Sequence, residues 1–422
     1  MRRCGRLRLS TLSGLTLIPV LSVAAPAIAQ ERVPAATGSS ERIAFQQQGF
    51  PAEAFRIFPT LRLSASYDDN VLIDTTARRG DAIITLAPEV RAVSQWARHS
   101  LIVDGFARVN RYLERDSLNN EEYGVGATGR LDVQRTFNIT GSAGYDRLFE
   151  LRGTPGDLAG VNRFIRYDAT QVSIGANKQL NRVQLGAGGS LSTFRFASTL
   201  GGGNLVDQRF RNRDISGING RVSYQYSAVT SVFVSGSANE TQYLSRGATN
   251  LDRSSHGYSI LGGVRFEVTR LLSGEASAGY LHQKFDDPRF APFSGVNYNL
   301  ALRYQPTLLT GFTLVADRRL TDSALQQAGG VLASRIAATA EHELQRNVLV
   351  SANLGYTRFN YRGLVRVDGR WTAGVGARYR LNRYLSAAAS YAYLSQSLGV
   401  GGGLGGRDFD SNRFSISLIA SR

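Results

Sequence analysis

Apolar and polar side chains alternate in runs of roughly 10 to 14 residues from about residue 58 to the C-terminus, and a chain built this way has few folds open to it. Tyr123, Val125, Ala127, Leu131 and Val133 occupy one parity, with Thr128, Arg130, Asp132 and Gln134 on the other. The same scheme recurs in Tyr258 to Val268, in Val296 to Tyr304 and in Trp371 to Leu381. A period of two lays every second side chain on one face of a strand. After the first 29 residues no stretch approaches 18 uninterrupted apolar positions, so the sequence offers no membrane-spanning helix. If this chain sits in a bilayer it does so as a closed barrel, the other structure that satisfies its own backbone in lipid.

Alternation alone suits a soluble sandwich equally well, because there the charged parity would face water. Connector lengths discriminate. The sequence yields roughly 18 candidate strands whose connectors alternate between short and long, as tight periplasmic turns and larger surface loops require. Short connectors are expected near Ala97 and Arg98, Arg135 and Thr136, Gln179 to Asn181, Ser227 to Thr230, Thr269 and Arg270, Gln345 to Asn347, and Asn382 and Arg383. Long ones are expected at Asp69 to Gly80, Glu150 to Ile165, Thr199 to Asn212, Arg246 to Ser255 and Ser397 to Asp410. The fold class is therefore all-β, a transmembrane antiparallel β-barrel of about 18 strands (16 to 18) behind a cleaved signal peptide.

The signal is read from Arg2, Arg3, Arg6 and Arg8, the apolar stretch from Leu12 to Val23 and the triplet Ala27-Ile28-Ala29, with cleavage before Gln30. The division expected is residues 1–29 signal peptide, 30–57 flexible periplasmic segment and 58–422 barrel. The only cysteine, Cys4, falls inside the signal, so disulfide, thiol and zinc-cluster chemistry are excluded from the mature chain. The formal charge is +16; the four signal arginines reduce the 49 basic residues to 45 against 33 acids, leaving +12. Without a basic cluster or a recognisable binding motif, and with export expected, this excess argues for lipopolysaccharide phosphates and anionic solutes rather than nucleic acid.

Tyrosine outnumbers tryptophan 18 to 2, and Tyr67, Tyr123, Tyr145, Tyr280, Tyr304, Tyr379 and Tyr393 fall near strand ends on the apolar parity, as interfacial girdles do. Gly124, Gly126, Gly374 and Gly376 fall on the opposite, lumenal parity and suggest a hollow interior. That parity also carries the charges with functional content: Arg62, Arg91, Arg108, Arg130, Arg221, Arg265, Glu267, Arg303, Arg319, Arg335, Arg378 and Arg380 are expected to line the pore. On the lipid face near the midplane each arginine would cost about 2–4 kcal/mol. His99, His256, His282 and His342 are scattered, no serine has a nucleophile-elbow context, and no catalytic residue, metal ligand set or cofactor motif is found; the chain is not expected to be an enzyme.

At Ala54-Phe55-Arg56-Ile57-Phe58-Pro59-Thr60-Leu61, followed by Ser66-Tyr67-Asp68-Asp69-Asn70-Val71, the sequence resembles the opening of the putative β-barrel porin type 2 family. Ala87-Pro88-Glu89-Val90 with Trp96 to His99 is similar to that family's second and third strands. The resemblance implies an outer-membrane barrel of a Gram-negative bacterium, often connected with exopolysaccharide production and export, and no catalytic site. The chain departs from outer-membrane practice in ending on Arg422 rather than on an aromatic residue. Asp68, Asp69 and Asn70 form a weak candidate cation site, with a turn role as the plainer alternative. The function expected is permeation or export of polar, anionic or saccharide solutes. The alternatives are a plugged barrel that serves a polysaccharide export assembly and, behind it, an outer-membrane hydrolase. Expected partners are outer-membrane lipid and lipopolysaccharide, the barrel-assembly machinery, and polysaccharide or its export proteins.

Overall fold

The structure, a computed structural model, describes residues 47–75, 77–150, 152–155, 163–201, 204–269, 271–399 and 407–422. The expected signal peptide and residues 30–46 of the expected lead-in lie outside the described residues. Eighteen long strands follow: β1 (Phe55–Asp68), β2 (Asp81–Ser94), β3 (Ser100–Tyr112), β4 (Asn120–Gln134), β5 (Phe137–Glu150), β6 (Ile165–Leu180), β7 (Val183–Phe196), β8 (Arg213–Gln225) and β9 (Thr230–Tyr243) make the first half. The second half is β10 (Ser255–Thr269), β11 (Leu272–Phe285), β12 (Phe293–Tyr304), β13 (Thr310–Thr321), β14 (Gly330–Gln345), β15 (Val348–Arg362), β16 (Val367–Arg380), β17 (Leu385–Leu398) and β18 (Phe409–Ser421). Each pairs antiparallel with its sequence neighbours, and β18 returns to β1 in a ladder from Thr60↔Ser421 to Asp68↔Arg413, which closes the barrel.

The outward face follows from the alternation. Leu61, Leu63, Val125, Ile174, Val234, Ile260, Leu354 and Val375 are exposed on the apolar parity, and Ile218 and Ile416 reach 68% and 69% exposure. An apolar band that encircles the molecule is what lipid contact requires and what a water-facing surface avoids. Tyr67, Tyr123, Tyr280, Tyr304 and Tyr379 are exposed on the same face near strand ends. By the rule for outer-membrane barrels, the tight turns face the periplasm and the longer loops the exterior.

Three details differ from the sequence reading. The first strand starts at Phe55, three residues before the expected 58, because Phe50–Ala52 turns back and pairs with it, Phe50 opposite Ile57. The connector between β12 and β13 is a tight turn that carries no expected signal. On the exterior side, 363–366 is as short as a periplasmic turn, so the alternation of connector lengths is a tendency and not a rule.

The closing seam is fastened by charge. Asp68 accepts from Arg413 Nε at 3.0 Å and Nη2 at 2.8 Å, from the Ser411 hydroxyl at 2.8 Å and from the Asn70 amide at 2.9 Å. With the Asp68 side chain 7% exposed, removing the guanidinium strands a buried carboxylate. Arg413→Met is expected to lower the stability of the refolded barrel by about 2 kcal/mol in urea unfolding from micelles. Arg91→Met, whose partner Asp104 lies in open lumen at 3.5 Å, is expected to cost about 0.5 kcal/mol or less.

Candidate functional site

All twelve expected lining residues stand on the strand parity opposite to the exposed apolar side chains, which is the lumenal face. The structure also resolves their pairing. Arg221 of β8 meets Glu275 of β11 with two bonds of 2.8 and 3.0 Å, and its guanidinium carbon sits 3.5 Å from the Phe233 ring centroid. Arg265 donates to the same carboxylate at 3.0 Å. Arg108 pairs with Glu122 at 2.6 Å, Arg130 with Asp132 at 2.8 Å, Arg91 with Asp104 at 3.5 Å and Arg319 with Asp317 at 3.8 Å. Among the described residues no acid lies within ion-pair distance of Arg62 or Arg335. Glu267, Arg303, Arg378 and Arg380 stand on the same lumenal parity.

Near the periplasmic end these side chains form a vestibule. Its wall, from β6 to β10, carries Asn177, Gln179, Gln184, Ser223, Gln225 and Ser231 together with Arg182, Arg221 and Arg265. Three guanidiniums face amide and hydroxyl groups there, and Glu275 is the carboxylate that two of them share. Such a lining attracts anions and offers hydrogen bonds to hydroxyl-rich solutes.

At the exterior end, loops fold inward and meet. Arg211, in the loop between β7 and β8, grips Glu150 at the end of β5 through bonds of 2.6 and 2.8 Å and donates to Asp322 at 3.0 Å. Asp322, in the loop after β13, also accepts from Arg213 at 3.1 Å, Arg253 at 2.6 Å and the Tyr243 hydroxyl at 2.8 Å. All five charged side chains are at most 3% exposed. Burial pushes the Asp322 carboxyl up, but Arg213, Arg253 and Arg211 outweigh it and hold the group far below the usual carboxylate range.

A second contact crosses the lumen. Arg370 of β16 donates to the Gly153 carbonyl, in the loop after β5, and to Gln396 of β17. β16 and β5 stand seven strands apart by the shorter way round, so this loop reaches nearly across the mouth. Gly153 has φ +85°, and a Cβ there would meet Ile73 at 3.0 Å and Phe409 at 3.1 Å, so only glycine lets the loop lie so close to the wall. Ala324 donates to Pro155 O at 3.3 Å, tying this loop to the one that carries Asp322.

Glu150, Arg211, Arg213, Arg253, Asp322 and Arg370 were not among the expected site residues. They are charged residues in exterior loops or at exterior strand ends, which sequence alone cannot separate from a solvated loop surface. The Asp68, Asp69 and Asn70 group is engaged with protein donors and acceptors: Asp69 takes Arg78 and Asn412, and the Asn70 amide bonds to Asp74 O and Asp410 O. Among the described residues no three His, Cys, Asp or Glu side chains are grouped to hold a metal ion. The lumenal glycines are not all empty space, since a Cβ on Gly124 would strike Asp146 and Phe106, and one on Gly374 would strike Asn353.

The model of the family described as "Putative beta-barrel porin 2" matches residues 43–422. No curated protein matches the chain. Among solved structures it is similar to the ferric enterobactin receptor PfeA of Pseudomonas aeruginosa, a double mutant, at 9% identity and TM-score 0.47, with 87% of this chain and 80% of that one covered. It is also similar to OpdL of Pseudomonas aeruginosa, at 12% identity and TM-score 0.44, with 87% and 99% covered. A third is the siderophore receptor PirA of Acinetobacter baumannii, at 6% identity and TM-score 0.47, with 86% and 80% covered.

The depressed Asp322 carboxyl fixes a pH dependence. A group whose acidity is strengthened by folding stabilises at every pH above its unfolded value, about 3.9, and loses that contribution only as pH falls through the folded value. Amide exchange in 322–329, corrected for intrinsic rates, is expected to stay slow from pH 7 down to about pH 4. Asp322→Asn should speed that exchange at least tenfold across the same range. Equal protection in both proteins would mean that the charge cluster does not hold the loop.

Proposed function

As this chain belongs to the Putative beta-barrel porin 2 family, we propose that it is a gated pathway for polar, anionic or saccharide solutes across the outer membrane of a Gram-negative bacterium, linked to exopolysaccharide production. The observation that carries the reading is the periplasmic vestibule, in which Arg182, Arg221 and Arg265 stand among amides and hydroxyls. A positive field focused between low-dielectric walls concentrates anions, while side-chain amides replace the water that a sugar gives up. The packed exterior loops make passage conditional on their parting, because Glu150, Arg211 and Asp322 bridge the mouth. No catalytic role is assigned to the barrel. Lipopolysaccharide, the assembly machinery and polysaccharide export proteins are its proposed partners.

The mouth favours a second reading, in which the barrel conducts nothing and supports a polysaccharide export assembly. Single-channel recording of the refolded protein in a planar bilayer separates the two. The first reading expects current with an anion preference in a salt gradient. Arg182→Glu with Arg265→Glu should lower the anion-to-cation permeability ratio about threefold. Deleting 324–328 should raise the conductance of that same pathway. A folded barrel that stays silent even after the deletion would overturn the permeation reading.

A further inference from the structure

The barrel wall is incomplete at one place. β12 and β13 are joined by six register pairs, Asn299↔Asp317 to Tyr304↔Phe312, whereas every other seam of the barrel has nine or more. The ladder stops before the exterior end, although β12 continues up to Phe293 and β13 on to Thr321. The cause is that the top of β14 is tucked inside the wall. Val331, Leu332 and Ala333 are all buried, on both faces of the strand, and outward-parity Leu332 packs on Leu281 and Phe293 from the lumenal parity of β11 and β12. Arg318 partly bridges the gap by donating to Val296 O at 3.1 Å.

Arginines gather beside this opening. Arg318 of β13 and Arg358 of β15 both face Ser334 of β14 in register, so the three form one row on the outward face. Arg362 lies four residues beyond Arg358 on the same face, its guanidinium 4.0 Å from the Phe293 centroid; that of Arg318 is 5.7 Å from it. Among the described residues none of the three has a carboxylate partner. Arg318 and Arg362 each keep Nε buried without an acceptor. Val296 O and the Phe293 ring account for where Arg318 and Arg362 sit, but not for a third like charge beside them or for the donors left unused, and an anion would join all three.

The height on the wall identifies the anion's source. Two residues below Arg358 on the same face, Tyr356 packs at a tilt of 46° against Trp371 with ring centroids 4.8 Å apart, an aromatic pair of the exterior girdle. The arginines therefore stand just outside the hydrocarbon, at the level of lipid headgroups. We propose that the outward face of β13 to β15, beside the open β12–β13 seam, binds the phosphates of the outer-leaflet glycolipid, lipopolysaccharide, through Arg318, Arg358 and Arg362 with Ser334 between them. The phosphate oxygens accept charge-assisted bonds from the outward Nη groups, which the hydroxyls of a neutral headgroup can match in number but not in strength.

The test is native mass spectrometry of the refolded barrel titrated with bisphosphorylated lipid A, with lipid A stripped of both phosphates, and with inorganic phosphate. The triple variant Arg318→Gln, Arg358→Gln, Arg362→Gln should weaken binding of the phosphorylated lipid at least tenfold, and the stripped lipid should bind the native protein as weakly. Arg358→Gln alone, exposed and unpaired, should fold normally by heat-modifiable migration and weaken binding about threefold; it decides the matter should the triple variant fail to fold. The lumenal pair Arg62→Gln, Arg335→Gln removes charge elsewhere and should leave binding unchanged. Binding that ignores the seam substitutions or the phosphates, or inorganic phosphate that binds where the lipid does not, would overturn the proposal.

Discussion

In hydrocarbon a backbone amide has no water to turn to, and everything in this molecule follows from that constraint. Each strand must have a neighbour on both sides, so a chain with alternating faces closes on itself, here through nine register pairs between β1 and β18. Those pairs join segments more than 340 residues apart in sequence, which is a large loop to close before any contact rewards it. The Asp68 and Arg413 pair with Ser411 and Asn70 sits at the exterior end of that ladder and fixes its register. A slip of one residue would turn the apolar parity inward and the arginines outward to lipid.

Once the wall is closed, the interior is where charge belongs at the depth of the hydrocarbon, and its two ends use charge differently. In the vestibule the arginines keep access to water, and pairs such as Arg265 with Glu275 leave donors free for a solute. At the mouth, Arg211, Arg213 and Arg253 surround Asp322 with almost no exposure. Removing five charges from water is costly, and hydrophobic replacements often pack as well or better, so such a cluster is a poor way to gain stability. Its merit is specificity: it holds three loops in one arrangement and, once a partner is withdrawn, favours none. A gate needs that property, whereas a permanent plug does better with apolar packing.

The strands were legible because their signal is local and repeated. Tyr123 to Gln134 or Trp371 to Leu381 announces its two faces without reference to any other segment, and the girdle tyrosines mark the strand ends. The parity of the arginines was legible for the same reason, since alternation fixes a side of the strand even when partners are unknown. What the residues did not announce was every contact between distant segments. Asp322 and Glu150 lie where a run ends and Arg370 near the exterior start of one, and only the curvature of the whole sheet brings each to its partner. The glycines misled for a related reason: Gly124 empties its own position, but Phe106 from the next strand fills it.

The mouth and the gap in the wall meet at the loop between β13 and β14. Asp322 is held by Arg211, Arg213 and Arg253, and the top of β14, which leaves its loop, lies inside the wall. β14 then lies behind β12, with Leu332 against Phe293, and β13 can no longer meet β12 along its full length. The unpaired edge is tolerable because it falls near the headgroup level, where water and the Arg318 guanidinium reach the carbonyls that hydrocarbon would leave bare. If the loop withdrew from the lumen, β13 would be free to swing back and extend the ladder toward Gly295 and Thr321. Such an arrangement gives the loop two supported positions rather than one supported position and a free end.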